Sequence, residues 1–152
     1  MPINLQALKT ELVSNQASMP YLALTAANDE ANANILNNVS GTNSRTVNRD
    51  SISTADFIAQ TTYAAFDTLT ASEEAWYRTL TAAENIAVTT DTLATWAAVG
   101  GASLWATAHK TTMEPRIRGL MQYQGSRAEE IRTTLGASFV TPSDIADARQ
   151  LP

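Results

Sequence analysis

Six helix-start signals spread along the chain constrain its fold more than any other feature of the sequence. A hydrophobic staple places one apolar residue directly before a helix-capping residue and a second apolar residue four positions after the cap. Four staples occur, at Ile3-Asn4 with Leu8, Ile52-Ser53 with Phe57, Val88-Thr89 with Leu93, and Val140-Thr141 with Ile145. Two capping boxes, Thr70–Glu73 and Ser126–Glu129, complete the set. These signals predict an all-α protein.

Apolar spacing and helix breakers divide the chain into about seven or eight short helices. The expected helices cover residues 5–14, 26–38, 54–66, 71–83, 90–99, a stretch from 103 that Pro115 breaks or kinks, 127–135 and 142–150. In the second helix, Ala27, Ala31 and Ile35 form the expected inward face. We therefore expect residues 1–152 to fold as a single domain, a compact helical bundle.

A polar stretch, "SGTNSRTVNRDSIST", separates the second and third expected helices. Arg45, Val47 and Arg49 alternate within it, a pattern that suits a short extended arm. We therefore interpret residues 40–53 as a polar connecting segment or docking arm. Besides this segment, only "ASFV" shows any strand character, and neither is enough to predict a sheet.

Charge and cysteine content exclude several classes of function. The formal charge is −5 and the isoelectric point is near 4.7, which argues against binding to nucleic acid or to an anionic membrane. The absence of cysteine excludes disulfides and thiol chemistry. No stretch reaches 18 apolar residues, and "MPINLQALKTEL" lacks the layout of a signal peptide.

The surface composition favours protein–protein contact. Only 16% of residues are charged, so little charge is desolvated when the surface meets a partner. The chain has eight arginines and two lysines, and arginine is favoured in interfacial contacts because its guanidinium is planar and weakly hydrated. Arg116 and Arg118 lie close to Tyr123, and nearby glutamates offset their charge. We interpret these three residues, with Arg45, Val47 and Arg49, as candidate partner-binding residues.

Catalytic, metal and cofactor sites are not predicted. His109 is the only histidine and has no second ligand at helical spacing. Glu73 and Glu74 are adjacent, so their side chains diverge on a helix, and Glu73 is explained by capping. "VGGAS" lacks the lysine of a phosphate-binding loop. We expect Trp76, Trp96 and Trp105 to lie in the core, with one of them available as an interface anchor.

Both ends of the chain resemble a family of small helical proteins encoded among the structural genes of tailed bacteriophages. The resemblance is carried by "INLQALKTEL", "PYLALTAANDEANANILNN", "NSRTVNRDSIST" and, most clearly, "SRAEEIRTTLGASFVTPSDIADAR". The stretch "SLWATAHKTTMEPRIR" departs from the family pattern. Members of this family are usually described only as phage proteins of unknown role.

The resemblance implies a virion structural protein, made in the host cytoplasm and assembled into a tail, a head–tail connection or a capsid surface. Its expected partners are other virion proteins and copies of itself, without nucleic acid, membrane, cofactor or small-molecule substrate. Residues 40–53 would then dock by strand addition or Arg–carboxylate contacts, the alternative being an ordinary surface loop. Two other functions remain open: an assembly factor that leaves the particle, and a cell-wall hydrolase using Glu73, Glu84 or Asp91.

Overall fold

The computed structural model describes residues 2–152 of the chain, which form ten helices and four short strands. The helices and strands are, in chain order, α1 Leu5–Ser14, α2 Asp29–Asn37, β1 Arg45–Asn48, β2 Ser51–Ser53, α3 Thr54–Gln60, α4 Tyr63–Phe66, α5 Ala71–Leu80, β3 Asn85–Ala87, α6 Thr90–Ala97, α7 Thr107–Met121, β4 Gln122–Gly125, α8 Arg127–Glu130, α9 Arg132–Leu135 and α10 Pro142–Gln150. Short 3₁₀ turns, Ala26–Asn28 and Gly41–Asn43, precede α2 and β1.

The prediction of an all-α fold is wrong, because the structure is mixed, with 57% helix and two small antiparallel sheets. One sheet pairs β1 with β4, and the other pairs β2 with β3 so that Ile52 lies opposite Ile86. These strands are only three or four residues long, too short to show a clear alternation of polar and apolar residues. Their backbone groups are paired with residues distant in the sequence, which no local pattern reveals.

The six predicted helix starts are all confirmed. The capping side chain at each start accepts a hydrogen bond from the backbone amide three residues later, and the capping residues are Asn4, Ser53, Thr70, Thr89, Ser126 and Thr141. In the last four, the third helical residue also reaches back to the backbone of the cap, so two amides are satisfied at once. Local sequence alone therefore determines where these helices begin.

The expected inward face of α2 is only partly correct: Ile35 is partly buried and packs against the core. The buried residues of this helix are Asp29, Asn32, Ala33 and Leu36, while Ala27 lies exposed in the preceding 3₁₀ turn. Asn32 is fully buried because its amide pairs with another segment: Leu22 N donates to Oδ1 at 2.8 Å, and Nδ2 donates to Leu22 O at 3.1 Å. A polar side chain with both groups satisfied can thus occupy the inner face of a helix.

Pro115 does not end a helix, because α7 continues through it from Thr107 to Met121. Proline removes one intrahelical hydrogen bond, to the carbonyl four residues earlier. Both Pro115 and Thr111, which carries that carbonyl, are solvent-exposed, so the unpaired group is left facing water. The expected start near residue 103 was also wrong, since residues 103–106 precede the helix.

The chain divides into two compact units, which are described separately. The first unit contains the chain up to Val47 together with Gln124–Pro152. Within it, α1 packs against α9 and α10, and α2 packs against α8 and α10. Its core contains Leu8, Leu12, Met19, Tyr21, Ala33, Leu36, Ala128, Leu135, Val140, Ile145 and Ala148.

The second unit is the continuous stretch Asn48–Tyr123. Helix α7 packs against α3, α6 and β2 within this unit. Its core is built around Phe57, Tyr77, Trp96 and Trp105, whose successive ring centroids lie 5.1–5.6 Å apart. Aromatic rings at such separations attract each other beyond the contribution of the surface they bury.

Candidate interaction surface

The most extensive buried polar network lies in the first unit and centres on Glu11 of α1, which is 5% exposed. Its carboxylate accepts hydrogen bonds from the Tyr21 hydroxyl at 2.8 Å and from Asn15 Nδ2 at 2.6 Å. Arg127 donates two more, from Nε at 2.7 Å and from Nη2 at 2.9 Å. Arg127 also pairs with Glu130 at 2.6 Å. We call these five residues the Glu11 network.

Glu11 is held as a carboxylate. Burial alone would raise the pKa of Glu11, but the hydrogen bonds from Arg127, Tyr21 and Asn15 outweigh burial and lower the pKa below its usual value of 4.5. Burial, and then the bond to this carboxylate, raise the pKa of the Tyr21 hydroxyl. The hydrogen bond with Glu11 raises the pKa of the Arg127 guanidinium.

A cavity of about 520 Å³ lies beside this network and is lined in part by Asn4, Thr10, Glu11, Arg127 and Leu135. The charged groups in its wall are already bonded to each other, because Glu11 accepts four hydrogen bonds. A carboxylate saturated in this way is a poor general base. The network therefore serves to join α1 to α8 and to the segment around Tyr21.

Arg45, one of the six predicted partner-binding residues, contacts its own unit. Its guanidinium donates to the backbone carbonyls of Ser18, Thr42 and Ser44, and its Nε lies 3.8 Å from a carboxylate oxygen of Glu130. These contacts hold β1 to the segment that follows α1. Most of the hydrogen-bonding capacity of Arg45 is thus used within the fold.

Val47, in the same strand, is 1% exposed. A side chain buried to this degree has no surface to offer a partner, so its contribution is to anchor β1. The predicted alternation of Arg45, Val47 and Arg49 on one side of an extended arm ends at Asn48, the last residue of β1.

Arg49, by contrast, is exposed and lies in the second unit. Its backbone amide donates to Met121 O at 2.9 Å, which fixes the main chain beside the end of α7. Its guanidinium carbon lies 5.1 Å from the centre of the Tyr123 ring, within the range of a cation–π interaction. The contact with the ring restricts the guanidinium.

Arg49 also borders a cleft of about 270 Å³. The cleft is lined by Arg49, Ser51, Ile52, Ser53, Asp56, Gly119 and Leu120, and we call it the Arg49 cleft. Its wall combines a guanidinium, two serine residues and one carboxylate with the apolar side chains of Ile52 and Leu120. Charged groups of both signs together with two serines suit recognition of a polypeptide more than chemical catalysis.

Arg116 and Arg118 have different environments, although they are two residues apart. Arg118 donates from Nε and Nη2 to the carbonyl oxygen of Ala97, at 3.3 and 3.0 Å, and so caps the end of α6. Arg116 is exposed, and its side chain has no hydrogen bond or ion pair within residues 2–152. It lies one turn before Leu120 on the same face of α7, so it extends the surface that borders the Arg49 cleft.

Strands β1 and β2 are both edge strands, since each belongs to a two-stranded sheet among the described residues. An edge strand can accept a further strand through its unpaired backbone groups. Strand addition to residues 40–53 thus has a structural basis, and it stays a prediction.

The carboxylates considered for hydrolysis lie on different elements of the structure. Glu73 accepts the backbone amide of Thr70 at 2.7 Å in a capping box of α5. Glu84 and Asp91 are both exposed, Glu84 between α5 and β3 and Asp91 in the first turn of α6. Among residues 2–152, no group of three or more His, Asp or Glu side chains could hold a metal ion, and His109 lies half-buried on α7.

Two of the three tryptophans lie in the core as expected, and the third, Trp76, does not. Trp96 and Trp105 are 0% and 1% exposed, whereas Trp76 is 44% exposed. No local motif in the sequence indicates which of the three tryptophans is exposed. The Glu11 network was also missed, because Glu11 and Arg127 are 116 residues apart and only the fold brings them together.

None of the helices within residues 2–152 has the length and apolar character needed to cross a membrane. No protein-family model matches the chain. Comparison with curated proteins and with solved structures likewise found no similar protein.

Proposed function

We propose that this protein is a non-enzymatic structural component of a tailed-phage particle and that it acts through protein–protein contacts. The observation that carries the proposal is the arrangement of Arg49 over Tyr123 beside the Arg49 cleft. Arginine and tyrosine are among the residues most enriched at the energetic centres of protein interfaces. A guanidinium already positioned by an aromatic ring loses little conformational freedom on binding.

Exposed aromatic and apolar side chains support a role in contacts with other proteins. Tyr63 is 77% exposed and Phe139 is 62% exposed, in addition to the partly exposed Trp76. Large aromatic side chains are depleted on surfaces that meet only water and enriched at interfaces. The resemblance of the two ends of the sequence to a phage structural-gene family supplies the setting.

In this proposal, the Arg49 cleft receives an acidic segment of a neighbouring virion protein. A partner carboxylate would pair with Arg49, and Arg116 would add a second positive charge along α7. The protein would be made in the host cytoplasm and would remain in the finished particle, in the tail, the head–tail connection or the capsid surface. No cofactor or substrate is involved.

The first test is quantitative immunoblotting of density-gradient-purified particles from the source culture, with heads and tails separated. A fixed copy number in one fraction is the expected result. Abundant protein in the lysate with none in the particles would overturn the structural role.

The second test compares two alanine variants for incorporation into particles. Arg49→Ala is expected to reduce incorporation about tenfold, because an interfacial charge-assisted contact is worth roughly 1.5–3 kcal/mol. Arg78→Ala is the matched control: Arg78 is also exposed and lies over an aromatic ring, Phe66, at 5.5 Å. Equal incorporation of both variants would exclude the Arg49 cleft as the docking surface.

A further inference from the structure

A second surface of the Asn48–Tyr123 unit surrounds Trp76 on α5. Its indole is 44% exposed and forms a wall of two grooves. The first groove, of about 300 Å³, is lined by Trp76, Asp91, Ala94, Thr95 and Leu104. The second, of about 260 Å³, follows α5 towards β3 and also includes Leu80. We call the first one the Trp76 groove; its volume is at the lower limit of protein ligand pockets, about 300 Å³.

The Trp76 groove is held in a fixed shape by the backbone around it. Asp91, Ala94 and Thr95 lie on one face of α6, since they are three and four residues apart. Leu104 forms the opposite part of the wall, and its amide donates to Thr95 O at 2.8 Å. The next residue, Trp105, is buried and donates from Nε1 to Trp96 O at 2.9 Å. The groove therefore needs little rearrangement to receive a side chain.

The lining of the groove carries one charged side chain, the carboxylate of Asp91. The one basic residue on α5 is Arg78. Arg78 is already paired with Glu74 at 2.6 Å. Asp91, in the groove wall, has no hydrogen bond or ion pair from its carboxylate within residues 2–152. The N-terminal turn of α6 favours this negative charge, but no cationic side chain among residues 2–152 pairs with it.

These features decide what kind of group the groove accepts. An apolar partner would cover the indole but would also bury the uncompensated charge of Asp91, which is costly. A cationic side chain covers the indole and also pairs with the carboxylate, because it can stack on the face of Trp76 while its charge lies next to Asp91. Arginine fits best, because its planar guanidinium stacks and bonds a carboxylate at once, and its methylene groups can lie against Ala94 and Leu104.

The source of that arginine is a different protein rather than a second copy of this chain. Two copies, each with a formal charge of −5, repel each other. Most of the basic side chains are also occupied within the chain. Of the ten, only those of Lys110 and Arg116 lack a polar or aromatic partner within residues 2–152.

We propose that the Trp76 groove is a docking site for an arginine side chain from a basic segment of a partner protein, held between the indole of Trp76 and the carboxylate of Asp91. This proposal does not depend on the Arg49 cleft or on the presence of a phage particle. The Arg49 cleft has charges of both signs in its wall, whereas Asp91 is the only charged residue that lines the Trp76 groove.

The test is a titration of the isotope-labelled full chain with N-acetyl-arginine amide, followed through the three tryptophan indole N–H resonances. The expected result is a shift of the Trp76 resonance with a midpoint of about 1–50 mM, as a contact worth roughly 2–4 kcal/mol implies. The resonances of Trp96 and Trp105 should stay in place, since both are buried. The neutral isostere N-acetyl-citrulline amide should bind about two- to fivefold more weakly, because its interaction lacks the charge.

Asp91→Asn supplies the matched protein control. This variant keeps the size of the side chain and leaves the indole in place, and it should weaken the binding of the arginine amide about two- to fivefold. The proposal is overturned if the Trp76 resonance does not move at about 100 mM ligand, a concentration well above that affinity range. It is also overturned if citrulline binds equally well, or if Asp91→Asn changes nothing. Sedimentation equilibrium of the unmodified protein and of Trp76→Ala tests whether a second copy occupies the groove. If the unmodified protein forms an oligomer that Trp76→Ala dissociates, the occupant is a second copy and the proposal is overturned.

Discussion

Asn32 and Asn37 show how single side chains hold irregular backbone in this protein. Asn32 binds both polar groups of the Leu22 backbone, and Asn37 does the same at Val140, with Nδ2 to Val140 O at 2.6 Å and Val140 N to Oδ1 at 3.0 Å. Asparagine is a poor helix former, so its frequency in α2 looks unfavourable from the sequence. Its amide nevertheless supplies a donor and an acceptor together, which a segment outside regular structure needs.

Ala98 is the only residue other than glycine with a positive φ among residues 2–152. It ends α6 in the left-handed conformation, with φ 55° and ψ 30°. Glycine is the usual residue at such a position because a Cβ atom is strained there. Gly136 occupies the equivalent position after α9, with φ 71°.

We therefore predict that Ala98→Gly increases the free energy of unfolding by about 0.5–1 kcal/mol. Gly136→Ala should lower the free energy of unfolding by about 1 kcal/mol, because alanine is strained at a positive φ. A steric clash does not contribute, since the atom nearest to a Cβ at this position would be Pro2 O, at 3.6 Å. Urea denaturation of both variants checks the two signs. A loss of stability in Ala98→Gly would contradict this account of the helix end.

At the scale of helices and strands, the Glu11 network joins three segments that are far apart in the sequence. Glu11 belongs to α1, Arg127 to α8, and Tyr21 to the loop between α1 and α2. Because the folded pKa of Glu11 lies below its usual value of 4.5, ionised Glu11 stabilises the fold. This stabilisation is complete above the unfolded pKa, and it is lost as the pH falls through the folded pKa.

Glu11→Gln removes the charge but keeps the shape. We predict that it lowers the free energy of unfolding at neutral pH by about 2 kcal/mol, the typical value of hydrogen bonds to a charged group. The difference from the unmodified protein should narrow as the pH falls below 4.5, because protonation then removes the same charge from Glu11 itself. Urea denaturation of both proteins, from neutral pH to below pH 4.5, measures this difference in the free energy of unfolding.

Glu74→Gln is the control, since Glu74 forms only a surface ion pair with Arg78, one turn apart on α5. It should change the free energy of unfolding by less than about 0.5 kcal/mol at any pH. If Glu11→Gln behaved in the same way, the network would have no role in stability.

The same scale explains what the sequence could predict. Helix starts such as those at Thr70 and Thr141 were predicted correctly because a cap and its partner lie within four residues. The strand at Asn85–Ala87 was missed because its only signal is the pairing with Ser51–Ser53, more than 30 residues earlier. Long-range pairing in strands this short leaves no trace in local periodicity.

The candidate site was predictable only in part, for the same reason. The sequence identified Arg45 and Arg49 as notable, but it could not separate their roles. Arg45 donates a hydrogen bond to Ser18 O and lies near the carboxylate of Glu130, whereas Arg49 lies over the ring of Tyr123. These contacts form only in the folded chain. Conversely, the exposure of Trp76 depends on how α5 packs, which a helical pattern does not reveal.

At the scale of the whole molecule, two cores are present, and all three tryptophans belong to the second unit. Tryptophan fluorescence therefore reports on residues 48–123, whereas far-ultraviolet circular dichroism reports on helices of both units. Each core is assembled from contacts within its own unit.

We therefore predict that Leu12→Ala, at a fully buried position of the first unit, separates the two signals during urea denaturation. A cavity of this kind costs about 2–5 kcal/mol, so part of the dichroism signal should be lost at lower urea while the fluorescence midpoint stays close to that of the unmodified protein. Met113→Ala, at a fully buried position of the second unit, should instead move the fluorescence midpoint. Coincident shifts of both signals in both variants would mean that the units unfold as one cooperative body, because a two-state transition gives the same midpoint by every probe.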